Sequence, residues 1–142
     1  MTACSSSRGA PAQFASLTFW VSGMPETKGS WVPIGGPRVR ADNPREHAWA
    51  EAVGWAAKAA ALTARHAKPD ARRYAVTLAF TLIAPPNRSK KNRRDCDKLA
   101  RSCLDAMTGI VWLDDEQVDE LHATKRTTLG APVGVQITVT AL

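Results

Sequence analysis

Apolar residues alternate with polar ones in some stretches of the chain and recur at helical spacing in others. In "SLTFWVSG", residues 16–23, Leu17, Phe19 and Val21 take every second position, as a half-buried strand requires. The segment that follows, "MPETKGSWVPIGGPRVRAD", breaks into short extended pieces around Gly35, Gly36 and Pro37, which fits a small hairpin or an ordered loop. At "NPRE" the period changes. Asn43 stands where an N-cap belongs, Pro44 at the first helical position and Glu46 where a capping box needs an acid. The helix is expected to run to about residue 66, with Pro69 beyond it. One apolar stripe holds Trp49, Val53, Ala56 and Ala60, and a second holds Ala48, Trp55, Ala59 and Leu62. Two stripes call for two partners, the core and either more core or a second subunit.

The strongest strand signal is "YAVTLAFTLIA", residues 74–84, in which Tyr74, Val76, Leu78, Phe80 and Leu82 face one way until Pro85 and Pro86 end it. Residues 95–107 read as a second helix with Cys96, Leu99, Ala100, Cys103 and Met107 along one side. Residues 117–127 and 133–141 look like the arms of a C-terminal antiparallel hairpin turned at "LGAP". Strands with two helices interposed, and no internal repeat, predict an α+β fold with one mixed sheet.

At 142 residues the chain is long enough for one domain with a real core. We place that domain at 16–142, behind a flexible N-terminal tail at 1–15. Residues 1–15 lack the apolar centre of a signal peptide, and no stretch approaches a membrane span. Cys4, Cys96 and Cys103 form neither a metal-type pair nor an even set, so they read as reduced thiols. These features predict a cytoplasmic protein with no membrane partner. The net charge of +6 favours nucleic acid or another polyanion.

That charge is unevenly spread. Residues 85–101 carry seven bases against two acids, whereas "DDEQVDE", residues 114–120, carries five acids and no base. Arg88, Lys90, Lys91, Arg93, Arg94 and Lys98 form a platform that can neutralise phosphates without reading bases. Within it stand Asp95 and Asp97. Asp95 falls at the N-cap of the second helix, and the two acids converge only if its backbone is still extended there. Capping alone would account for Asp95 but explains Asp97 less well. If both meet an acid of "WLDDEQ", carboxylates about 4 Å apart repel by roughly 4 kcal/mol at an effective dielectric near 20. A divalent ion reverses that sign. Oxygen ligands without a suitable His or Cys point to Mg²⁺, or Mn²⁺. On the second helix, Asp97, Arg101 and Asp105 stand at four-residue spacing, which allows surface ion pairs or, for Arg101, a phosphate contact. Trp20 and Trp31 read as core or interface rather than as stacking platforms.

The stretch "RRDCDKLARSCLDAMTGIVWLDDEQV" resembles the central block of the RusA-type Holliday-junction resolvases, phage-type members included. It offers a D-x-D at Asp95 and Asp97, a base four positions later at Arg101, then "LDAM". A Trp-Asp-Asp-Gln-Val element follows at Trp112, Asp114, Asp115, Gln117 and Val118. Close similarity covers about 30 residues, and a looser one takes in "GMPETKGSWVPIGG". The resemblance implies a homodimeric, Mg²⁺-dependent endonuclease of phage or prophage type that cuts four-way DNA junctions by paired symmetric nicks. It implies Asp95, Asp97 and Asp115 as catalytic and metal-binding carboxylates, Asp114 as an assisting neighbour, Arg101 as the catalytic base position and Lys28 on the DNA path. The family typically has Lys where Arg101 stands, and Arg does not readily give up a proton. A non-catalytic DNA-binding protein of the same fold, and a metal nuclease for another branched substrate, are the alternatives.

Overall fold

Strand Tyr74–Ile83 has an inner row, Tyr74, Val76, Leu78, Phe80 and Leu82, that is at most 1% exposed. Each such side chain contributes roughly 1.5–3 kcal/mol by leaving water, so this strand needs neighbours on both flanks and cover on one face. In the computed structural model residues 14–27, 31–35, 38–41, 45–84 and 94–142 are described, with 31–35 and 38–41 described by backbone alone. They form β1 (Ser16–Ser22), β2 (Trp31–Gly35), β3 (Arg38–Ala41), α1 (Glu46–Thr63) and β4 (Tyr74–Ile83). Then come α2 (Cys96–Met107), a 3₁₀ turn (Asp115–Gln117), β5 (Val118–Thr128) and β6 (Gly134–Ala141). The fold is α+β with one mixed four-stranded sheet, as the periodicity predicts. β2 and β3 pair antiparallel as a separate hairpin.

The sheet order is β1-β6-β4-β5, and this corrects the expected C-terminal hairpin. β5 and β6 are not neighbours. β6 lies between β1 and β4, antiparallel to both, while β5 runs parallel to β4 on its far side. The composition of each strand explains the placement. β5, "VDELHATKRTT", is exposed or only half-buried along its whole length and suits an edge. β6 buries Val135, Ile137 and Val139 and suits the interior. α2 carries the chain from β4 to β5, the crossover a parallel pair requires.

α1 packs on β1 and on α2. It buries Trp49, Val53, Ala57 and Ala61, with Ala56 and Ala60 partly covered, so its first stripe is core. The second stripe is exposed, Trp55 at 71% and Leu62 at 52%. Asn43 and Pro44 lie outside the described residues, and the Glu46 carboxylate accepts a hydrogen bond from Ser102 Oγ on α2 at 3.3 Å. The helix ends at Thr63, earlier than expected. The Arg65 N–H donates to Leu62 O at 3.0 Å and the His66 N–H to Ala61 O at 2.7 Å, closing a Schellman motif. Arg65 takes its left-handed position at φ 62°, where a side chain is strained. Phe14, inside the expected tail, is buried against the rings of His66 and Tyr74. The ordered domain therefore begins before residue 16.

Arg65→Gly removes the left-handed penalty of about 1–2 kcal/mol and adds back part of it as unfolded-chain entropy. We expect a net gain of roughly 0.5–1 kcal/mol, a rise in melting temperature of about 2–4 °C. Differential scanning calorimetry checks it, and an unchanged or lowered melting point would contradict it.

Candidate active site

α2 enters the fold through Arg94, Asp95 and Cys96. Arg94 Nη2 donates to both Glu26 oxygens at 3.1 Å, and the Glu26 side chain is 8% exposed. The Arg94 carbonyl accepts from Lys125 Nζ of β5 at 2.8 Å. Arg94, expected on the phosphate platform, is thus an anchor that fixes where α2 begins. Nothing in the sequence around Glu26 signals this pairing. Lys28, Arg88, Lys90, Lys91 and Arg93 lie outside the described residues.

Asp95 is the N-cap, with extended backbone at φ −71° and ψ 141°, the conformation its convergence with Asp97 requires. Its carboxylate makes no capping hydrogen bond, so capping does not account for it. Asp97 follows in the first turn, and both are exposed, as are Lys98 and Arg101. Arg101 is in no ion pair among the described residues, which leaves the surface ion-pair reading of Asp97, Arg101 and Asp105 without its central partner.

The second acidic element is built from the core outward. α2 ends at Met107, and Gly109, at φ 88°, turns the chain so that its N–H meets Trp112 O at 2.7 Å. Trp112 is fully buried, and its Nε1 donates to Thr108 Oγ1 at 3.0 Å. Asp114 caps the 3₁₀ turn, accepting from the Glu116 N–H at 3.0 Å. Gln117 closes the capping box from the other side. Its Oε1 accepts from the N–H groups of Leu113 at 2.9 Å and Asp114 at 3.0 Å. Its Nε2 donates to the carbonyls of Asp70 and Arg72, both at 2.8 Å. Both donors and both acceptors of this buried amide are used.

The segment that Gln117 grips is itself tied down. Asp70 accepts from Tyr74 Oη, and from Arg72 Nε at 2.7 Å. Burial pushes its carboxyl up, but the Tyr74 and Arg72 hydrogen bonds outweigh that and hold it below its ordinary range. Arg72 also donates to Phe14 O at 2.8 Å, with its guanidinium over the Phe14 ring. His66 Nε2 lies 2.9 Å from Val111 O.

The five acids of residues 114–120 then sort into different roles. Arg73 pairs with Glu116 and Asp119, and its hydrogen bonds pull Asp119 below the usual carboxylate range. Glu120 is exposed on the edge strand. Asp114 and Asp115 remain on the turn, and Asp105 of α2 meets them. Asp115 is raised above its ordinary value, by partial loss of water first, then by hydrogen bonding to Asp114 and the charges of Asp105 and Asp114. Asp105, read from the sequence as a surface ion-pair residue, is the acid of α2 that touches Asp115. Its position eight residues after Asp97 is the one available signal. Eight residues of helix rise about 12 Å, so Asp97 and Asp105 occupy different ends of one acidic edge. Among the described residues no three His, Cys, Asp or Glu side chains are arranged to hold a metal ion.

Compared with known families, residues 23–140 match the model of the endodeoxyribonuclease RusA. The chain belongs to the RusA endodeoxyribonuclease family. No curated protein matches it. The family match covers both acidic elements and all of the sheet except β1 and the last residue of β6. Within this RusA domain, Trp112 and Gln117 hold the turn that bears Asp114 and Asp115. Cys103 is buried, and loss of water pushes its thiol up to about 12, so it stays protonated and inert. Among the described residues no helix is long and apolar enough to cross a membrane.

Two outcomes follow from this geometry. Gln117→Leu leaves two N–H and two C=O groups without their partner and is expected to cost about 2–4 kcal/mol in urea unfolding. A loss below 0.5 kcal/mol would show that the amide does not hold the turn. Asp115→Asn is expected to stabilise the protein at pH 7. An acid whose value is raised on folding costs nothing below its ordinary pKa near 3.8, and stability falls as pH rises through the ordinary and then the raised value. Because Asp115 is exposed, the gain is on the order of a few tenths of a kcal/mol, and it shrinks away in thermal melts toward pH 3.

Proposed function

We propose that this RusA-family chain is a Mg²⁺-dependent, structure-selective endodeoxyribonuclease that resolves four-way DNA junctions by paired symmetric nicks. The observation that carries the reading is the sorting of carboxylates. Arg73 pairs with Glu116 and Asp119, while Asp114 and Asp115 face Asp105 with their charges unfavourable to one another. Asp95 declines the capping bond its position offers. A protein that only bound phosphates would gain nothing from such a surface, because it repels them.

The donor set is all oxygen, which fits a hard divalent cation, Mg²⁺ or Mn²⁺. Asp95, Asp97 and Asp115 are the proposed catalytic carboxylates and ligands, with Asp114 beside them. Asp105 joins this acidic edge through its contact with Asp115. When bound, the cation supplies Lewis-acid activation at the scissile phosphate. The remaining work is done by the chain. Glu26 and Lys125 fix the start of α2, and Gln117 fixes the turn, so the two acidic elements hold their separation without substrate. Arg101, exposed one helical turn from both Asp97 and Asp105, is placed to contact a phosphate and offset charge that develops there. As a guanidinium it stays protonated and takes no part in proton transfer. Lys98 and, outside the described residues, Lys28, Arg88, Lys90, Lys91 and Arg93 are the proposed backbone contacts.

Two cuts on strands related by two-fold symmetry require two sites, and a C₂ homodimer supplies them. The exposed stripe of α1, with Trp55 and Leu62, is the face we assign to that contact.

The test is a labelled four-way junction beside a matched linear duplex, in Mg²⁺ and in EDTA, with wild type and Asp97→Asn. We expect paired symmetric nicks in the junction alone, lost with EDTA and reduced at least a hundredfold in the variant. Tight junction binding without cuts in either metal would leave a non-catalytic DNA-binding protein. Preferential cutting of flaps or other forks would redirect the substrate class.

A further inference from the structure

The helices leave one face of the sheet open, and that face carries a feature the cleavage reading does not use. Across all four strands, Trp20 of β1, Gln136 of β6, Ala79 of β4 and Thr124 of β5 are direct partners in one row. In the next row Gly134 of β6, Thr81 of β4 and Arg126 of β5 are likewise aligned. The small side chains between Trp20 and Arg126 leave a hollow of about 310 Å³.

Trp20 is 42% exposed, yet it is fixed. Its Nε1 donates to Ser22 Oγ at 2.8 Å. Its ring lies against Gly134 so closely that a Cβ there would stand 2.7 Å from Trp20 Cζ2 and 2.1 Å from Val21 O. Gly134, at φ 152°, is required both by its backbone and by this contact. An immobilised indole with an open flank loses little entropy when a flat group stacks on it. Opposite stands Arg126, whose Nε is 3.5 Å from Thr81 Oγ1. Gln136 offers an amide donor and acceptor, and among the described residues no acidic side chain lines the hollow. Lys125, which also lines it, donates to the carbonyl of Arg94, the residue before Asp95. Its side chain shares the Phe80 row that faces the helices, so the hollow and the start of α2 lie on opposite faces of the sheet at β5.

We propose that this hollow binds one unpaired nucleotide of a DNA strand, its base stacked on Trp20 and its phosphate on Arg126. The volume accommodates a single nucleotide unit and no duplex. A planar aromatic group beside a cation is the minimal kit for sequence-tolerant single-strand binding. The site would hold a base released where a branched substrate loses pairing near the cut. It rests on the family's action on DNA but not on the nuclease chemistry.

The test is fluorescence anisotropy with fluorescein-labelled oligo-dT of twelve nucleotides, in EDTA so that nothing is cleaved. Stacking of one base predicts that Trp20→Ala weakens binding by about fivefold to a hundredfold. Trp20→Phe should recover most of it, and Arg126→Gln should weaken binding and lower the salt slope by about one. Should Trp20→Ala fail to fold, Trp20→Phe and Arg126→Gln decide the matter through affinity and salt slope. Wild-type affinity in folded Trp20→Ala overturns the proposal. So does displacement of the strand by an oligoglutamate peptide at concentrations matching unlabelled oligo-dT. If no junction is cut but Trp20→Ala still loses the strand, the nuclease reading falls and this site stands.

Discussion

The buried side-chain amide of Gln117 fastens together two parts of the chain, assisted by the Arg73 pairs with Glu116 and Asp119. One is the 70–72 segment leading into β4, and the other is the turn bearing Asp114 and Asp115. The amide is buried, so each of its bonds is made in a medium where an unpaired partner would be costly. Its grip depends in turn on Asp70, Arg72, Tyr74, His66 and Phe14, which bind the segment to the N-terminal end of the sheet. Polar groups here specify position where apolar packing alone would allow the turn to slide.

Two acidic elements are thereby held on opposite supports. Asp95 and Asp97 ride on the start of α2, fixed by Glu26 and Lys125 through Arg94. Asp114 and Asp115 ride on the Gln117 turn, where Asp105 of α2 meets Asp115. Partial loss of water, with the neighbouring carboxyls of Asp114 and Asp105, keeps Asp115 above its ordinary value. This arrangement exchanges some stability for a concentrated negative field, a common feature of sites tuned for chemistry.

Local periodicity was enough to read the elements. The alternation in β1, β4 and β6 and the apolar face of α2 appear as the sequence implies, because each is decided by neighbours within a few residues. Pairing was not legible. "LGAP" between two strand-like runs suggests a hairpin, but β4 competes for the same partners with a more apolar surface and takes a strand on each side. The D-x-D and Trp-Asp-Asp-Gln-Val elements were visible because acids at fixed spacing stand out against a basic background. Asp105, Glu26 and Asp70 were not, since each gains its meaning from residues distant in the chain. The Arg94–Glu26 pair was hidden for the same reason: a cation in a basic run gives no sign that one buried carboxylate will meet it.

The strand order also has a consequence for how the protein is made. Among the described residues β1 pairs with β6 alone, so β1 has no sheet partner until residues 134–141 have been made. β4 and α2 can dock earlier, but one flank of β4 stays bare until β6 arrives. Closure joins residues more than a hundred positions apart, a slow step by its loop entropy. A chain stalled or truncated before residue 134 would expose the most apolar strand of the domain, a natural target for chaperones and a seed for aggregation.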